Sequence, residues 1–105
     1  MESNTSRIGT EFKIYVQVEP IDGKTLSELE FSAVVYTDRV GRRKEYTKEQ
    51  FVKVNENKYA VPVYSAEIGP GKYFIDVTLQ IPDTHFIAGY RKEVRTFFSG
   101  KEILP

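Results

Sequence analysis

Period-two alternation of apolar and polar side chains recurs along this chain in one short run after another, each closed by turn chemistry, and that rhythm admits few folds. From Glu11 to Glu19, Phe12, Ile14, Val16 and Val18 fall on one face and Lys13, Tyr15, Gln17 and Glu19 on the other, the period of a half-buried strand. Pro20 and then Asp22-Gly23 end it. Leu29 to Asp38 repeats the pattern, with Leu29, Phe31, Ala33 and Val35 set against Glu30, Ser32, Val34 and Tyr36. Val40-Gly41 in a charged setting predicts a hairpin to a shorter strand around Arg43 to Tyr46. Thr47 and Gln50 have the capping-box spacing, so one helical turn could interrupt the sheet before Phe51 to Val54 resumes.

Asn55-Glu56-Asn57 predicts a tight turn, because Asn tolerates positive φ, leading into Lys58 to Tyr64. There Tyr59, Val61 and Val63 share a face, and Pro62, which has no N–H, argues for an edge position. Gly69-Pro70-Gly71 then feeds Tyr73, Ile75, Val77 and Leu79, with Phe74, Asp76, Thr78 and Gln80 alternating outward. In the last run, Tyr90 to Ser99, Val94, Thr96 and Phe98 oppose Arg91, Glu93, Arg95 and Phe97; the second set is assigned outward, and Gly100 closes the strand. The first ten residues, polar and ending in Gly9-Thr10, read as a loose arm, so the domain runs from 11 to 105.

About seven short strands with turns at intervals of roughly ten residues are the signature of an all-β, immunoglobulin-like antiparallel sandwich. No run has a sustained 3.6-residue period, and neither a βαβ unit nor an internal repeat is visible, which sets aside parallel α/β folds and solenoids. A chain of 105 residues is one domain. Size scaling gives it roughly 17,000 Å² of surface unfolded and about 6,000 Å² folded, enough burial to fold without staples. It has no Cys, so neither disulfides nor thiolate metal sites contribute. Fifteen basic and fifteen acidic residues cancel, leaving no field to draw it to nucleic acid or an anionic membrane. No stretch approaches the roughly 20 apolar residues that cross a bilayer, and the polar start lacks a secretory core. With Met1 first and no tag, it reads as a complete small protein, although an excised domain with a start codon added would look identical.

Catalytic chemistry finds little to work with. The one histidine, His85, lies two residues from Asp83, which could orient it, but loop structure accounts for both, and no serine sits in a nucleophile-elbow context. Asp22, Asp38 and Asp83 could in principle line a loop-end calcium site, yet no D-x-[DN]-x-[DN]-G loop is present. Asn4-Thr5-Ser6 matches a glycosylation sequon in the arm, by chance on this reading. No catalytic, cofactor-binding or metal-ligating residue is therefore assigned. Contact chemistry is richer. Arg39, Arg42, Arg43 and Lys44 concentrate positive charge at a hairpin tip, as a solvated loop, as a surface for an acidic protein patch or, least favoured, as a contact for nucleic-acid phosphate. Tyr15, Tyr36, Tyr64, Phe74 and Phe97 fall on faces assigned outward, where aromatic rings either cover a second layer or form a contact surface. The partner-binding candidates are Arg39, Arg42, Arg43, Lys44, Tyr36 and Phe97.

Two segments, Ile68-Gly69-Pro70-Gly71-Lys72-Tyr73 and the run from Ile81-Pro82-Asp83 through Phe86, Gly89, Arg91 and Glu93 to Val94, together with Gly9-Thr10-Glu11-Phe12-Lys13, resemble small immunoglobulin-like proteins of tailed phages and prophages of gut bacteria. That resemblance implies a virion or assembly component: a capsid decoration, head-fibre, or tail or baseplate accessory that docks on a repeating protein surface, singly or as a homo-oligomer, in the virion or in the bacterial cytoplasm before assembly. The expectation is thus a non-enzymatic structural protein with a protein partner and no cofactor. The alternative is a module that recognises surface carbohydrate through exposed tyrosines, a reading weakened by the lack of Trp.

Overall fold

Backbone pairing gathers the alternating runs into two sheets in a computed structural model that describes residues 5–39 and 41–105. The described strands are β1 (Thr5–Arg7), β2 (Glu11–Gln17), β3 (Glu30–Thr37), β4 (Lys44–Thr47), β5 (Val52–Asn55), β6 (Lys58–Tyr64), β7 (Gly71–Pro82) and β8 (Tyr90–Leu104); a helical turn, α1 (Ser65–Ile68), joins β6 to β7. One sheet has the order β1-β8-β7-β3-β4 and the other β2-β6-β5. With β2 as strand B and β8 as strand G, this is B-E-D facing G-F-C with an added C′ strand, the immunoglobulin-type order, and the all-β sandwich expected from the alternation is what forms.

The core lies where the inner faces meet. Ile14 and Val16 from β2, Val61 and Val63 from β6, Val35 from β3, and Ile75, Val77 and Leu79 from β7 are at most 1% exposed. Phe31 meets Phe51 and Tyr59 edge to face, each at a centroid separation of 5.3 Å, and closes one end of the core. Tyr73 closes the other, edge-on to Phe12 at 5.1 Å. Its hydroxyl donates to the Gly69 carbonyl at 2.5 Å, back across the corner between β6 and β7. A tyrosine at the start of strand F that bonds upstream backbone is the corner device of immunoglobulin-type sandwiches. Gly71, at φ +129°, opens the same corner because any Cβ there would stand 2.8 Å from Asp38 Oδ1 and 2.9 Å from Thr37 Cβ.

Several local expectations hold. Asp22-Gly23 forms a two-residue turn with positive φ at both positions and reciprocal hydrogen bonds between Ile21 and Lys24. Thr47 and Gln50 form the capping box of a 3-10 turn over Lys48–Gln50.

Others are corrected. Thr5–Arg7, assigned to a loose arm, pairs parallel with Glu102–Leu104, so the sandwich has an eighth strand and one parallel contact. Met1 to Asn4, and with them part of the arm and the sequon, lie outside the described residues, as does Val40 at the hairpin tip. The Asn55–Asn57 turn is held by the Asn55 side chain accepting from the Asn57 amide at 2.9 Å, without positive φ. Pro62 is on the middle strand of its sheet, but β5 pairs no further along β6 than Ala60, so Pro62 has a neighbour, Lys13, on one side only. Gly100 does not end β8. The strand continues to Leu104 through an irregularity in which β8 takes four steps, Phe98 to Glu102, while β7 takes two, Phe74 to Lys72, with Gly100 at φ +79° inside it.

The two faces of β8 are also reversed from the expectation. Arg91, Glu93 and Arg95 stand opposite the buried Ile81, Leu79 and Val77, and Phe97 stands opposite Ile75, so this set points inward. Three strands cannot cover five, which leaves these β8 residues only half-buried, with Phe97 packed against the core.

Candidate protein-docking face

With β8 turned this way, the outer face of the five-stranded sheet carries cross-strand rows of side chains. One row runs Tyr36, Phe74, Phe98 across β3, β7 and β8. The Tyr36 and Phe74 rings stack at 5.9 Å with an interplanar angle of 21°, and Phe74 meets Phe98 at 5.3 Å. The next row is Glu45, Val34, Asp76, Thr96, and the one after it Thr47, Ser32, Thr78, Val94. Phe98 is 56% exposed and Val94 60%, while Tyr36 and Phe74 are half-buried by one another. Pleating alone puts these residues on one side, and among the described residues no element crosses this face.

Polar groups fix the rings rather than compete with them. The Tyr36 hydroxyl donates to Asp76 Oδ1 at 2.8 Å, and the Thr96 hydroxyl donates to the same oxygen at 2.7 Å. Burial, and then the bond to Asp76, push the Tyr36 phenol above its ordinary value, so it stays a neutral donor across the physiological range. The Arg43 guanidinium lies over the Tyr36 ring, 4.5 Å from its centroid, extending the aromatic row with a flat cation. The result is a firm, mainly apolar strip with a charged end.

Of the six partner-binding candidates, the fold brings Tyr36 and Arg43 together on this strip. Lys44 stands opposite the buried Val35, on the inner side, and pairs with Glu67 of α1. Arg42 is exposed and donates its amide to the Ile68 carbonyl at 3.1 Å, and Arg39 is exposed beside Thr37. The basic cluster is therefore split between two sides of the sheet. Phe97 is half-buried inside, and Phe98, its neighbour, takes the outward place. Phe74 and Phe98 are the members that sequence reasoning left off the candidate set; the cross-strand register Tyr36–Phe74–Phe98, which no single run reveals, would have found them.

The opposite end of the molecule holds the polar residues considered for catalysis or calcium. A shallow cleft of about 420 Å³ is lined by Asp22, Pro82-Asp83, Thr84, His85, Gly89 and Arg91. Arg91 Nη1 reaches Asp83 Oδ2 at 3.1 Å and Asp22 Oδ2 at 3.4 Å, so one guanidinium neutralises both carboxylates. Asp83 Oδ1 accepts from the His85 amide and meets its ring Nδ1, each at 3.0 Å, and these bonds, then Arg91, hold the carboxyl below the usual range. Asp38 is elsewhere, accepting from the Lys72 amide at 2.8 Å. Among the described residues no three His, Asp or Glu side chains gather to hold a metal ion, and no helix is long and apolar enough to cross a membrane. Comparison with protein-family models, with curated proteins and with solved structures gave no match.

Proposed function

We propose that this chain is a non-enzymatic structural protein that attaches to a larger assembly through the outer face of its five-stranded sheet, and that the assembly is a phage or prophage particle. The observation that carries the docking half is the Tyr36–Phe74–Phe98 row, three rings held side by side across three strands, of which Phe98 is 56% exposed and the other two are half-buried. A contiguous exposed apolar strip of this kind, rimmed by Arg43, Glu45 and Lys92, has the composition of an interface centre, where aromatics and Arg are enriched and water is excluded on contact. The particle half rests on the resemblance of Ile68–Tyr73 and Ile81–Val94. On a symmetric lattice, many copies each binding weakly add up to firm attachment.

Purified protein is expected to bind one of the capsid or tail proteins encoded beside it, and Phe98→Asp to weaken that binding about tenfold or more, a loss of the size truncated aromatic anchors show. No affinity for any of them in the unsubstituted protein overturns the reading. A saturable response to a glycan panel, lost on Tyr15→Ala or Tyr64→Ala, would replace it with carbohydrate recognition, since those two rings stand half-exposed on the opposite sheet.

A further inference from the structure

β1 covers only the last residues of β8, Glu102 to Leu104, and among the described residues no strand pairs with the outer edge of Tyr90 to Ser99. That edge is about 30 Å of extended backbone, counting Tyr90 to Phe98 at ~3.4 Å per residue. Exposed edges are templates for pairing, and natural sheets guard them with Pro, with bulges or with charges set on the inner face. The edge of β8 carries only the last of these, and its charges alternate in sign: Arg91, Glu93, Arg95.

We infer that this edge pairs antiparallel with the same edge of a second copy, about a two-fold axis through Val94. The charge pattern selects that register. With Val94 opposite Val94 of the second copy, Glu93 faces Arg95 twice, once on each side of the axis. Arg91 then faces the ring of Phe97, Lys92 faces Thr96, and Tyr90 faces Phe98. Moving the axis to residue 93 sets Glu93 against Glu93 and Arg91 against Arg95, and moving it to 95 sets Arg95 against Arg95. Like charges directly opposite oppose pairing, so both are disfavoured. An axis at 96 carries the pairing to Gly100, where β8 departs from regular register, and sets Arg91 against Lys101. Within one chain Glu93 already binds Arg95, with Oε1 2.7 Å from Nη2, so both side chains are held on the inner face where the exchange of partners takes place.

The dimer joins two five-stranded sheets edge to edge into one of ten. Its outer face carries the Tyr36–Phe74–Phe98 row on into Tyr90 of the second copy, doubling the docking strip without using the rings' open faces. This inference goes beyond the docking proposal and is independent of it, because its test needs no partner protein.

The test is the mass of the full chain in solution by sedimentation equilibrium from micromolar to millimolar concentration, with circular dichroism and melting to show that each variant folds. A monomer–dimer equilibrium is expected. Glu93→Arg, which turns two attractive contacts repulsive, is expected to weaken it about tenfold or more, and the double variant Glu93→Arg/Arg95→Glu to restore it to within about threefold. Because the chain has no cysteine, Val94→Cys gives an independent reading: directly opposed antiparallel residues have Cα atoms about 4.5–5.5 Å apart, within disulfide reach, so oxidised glutathione should convert this variant to a covalent dimer, whereas Thr96→Cys, off the axis, should stay uncross-linked. A chain that stays monomeric at millimolar concentration overturns the inference. So does a dimer indifferent to Glu93→Arg, or one cross-linked through Thr96→Cys and not Val94→Cys.

Discussion

Two tyrosines show what burial does to single side chains in this core. Tyr73 and Tyr46 are pushed up to about 12, chiefly because burial disfavours the phenolate, with Glu67 adding to the effect at Tyr46. In the unfolded chain both ionise near 10, so the folded state holds more protons between about pH 10 and 12. The associated stability is intact below 10 and is lost as the pH rises through the folded value. Absorbance at 295 nm should therefore show Tyr46 and Tyr73 ionising only as the circular dichroism signal collapses; ionisation of all seven tyrosines near 10 in a folded protein would contradict this. Position on a face matters as much as residue type. Leu79→Ala, inside β7, should cost about 2–5 kcal/mol in urea unfolding. Phe98→Ala, on the outer strip, should stay within about 1 kcal/mol, because the ring it removes is mostly in water.

At the scale of elements, what the sequence revealed depended on contrast between the two faces of a strand. β2, β3, β6 and β7 set apolar residues against polar or aromatic ones, and their inner faces are where alternation assigns them. β8 offers no such contrast. Phe97-Phe98 puts a ring on each face, and Arg91, Glu93 and Arg95, turned inward by their register with β7, stay half-buried because the smaller sheet does not extend over them, a fact about sheet widths that no local pattern holds. β1 is three polar residues placed by pairing with a strand nearly a hundred residues away, and α1 is a single turn. The docking strip was half legible, since Tyr36 and Arg43 could be named while the register joining them to Phe74 and Phe98 could not.

Two connections carry their own tests. Gly71→Ala forces a Cβ against Thr37 and Asp38 at positive φ and should cost about 1–3 kcal/mol, read as a lower urea midpoint. In the β7–β8 loop, the carboxylate of Asp83 holds the His85 amide. Its pKa is depressed, so the bond's contribution is complete above the ordinary aspartate range, near 3.9, and is lost as the pH falls through the lower folded value. The His85 amide should remain protected from exchange at pH 5 and lose that protection in stronger acid before the core amides do. Unchanged protection in Asp83→Asn would show that the charge plays no part.

The whole molecule is longer than its chain length requires. Its radius of gyration is 14.9 Å, against about 13 Å for a compact domain of this size, and its extents are 47 × 29 × 19 Å. The 12 residues of β7 and 15 of β8 account for the length, in a sandwich whose other paired strands are eight residues or fewer. A flat, elongated body with a polar-rimmed aromatic face and, among the described residues, a long unpaired stretch of β8 edge is suited to lying on a surface and to adding a copy sideways. Hydroxyl-radical footprinting, comparing the free protein with the protein bound to the capsid or tail protein it is proposed to dock on, asks which face is covered. Tyr36, Phe74 and Phe98 should lose reactivity on binding while Tyr15 and Tyr64, on the other sheet, keep theirs. Protection of Tyr15 and Tyr64 with the three rings still reactive would place the contact on the opposite face and contradict the docking surface proposed here.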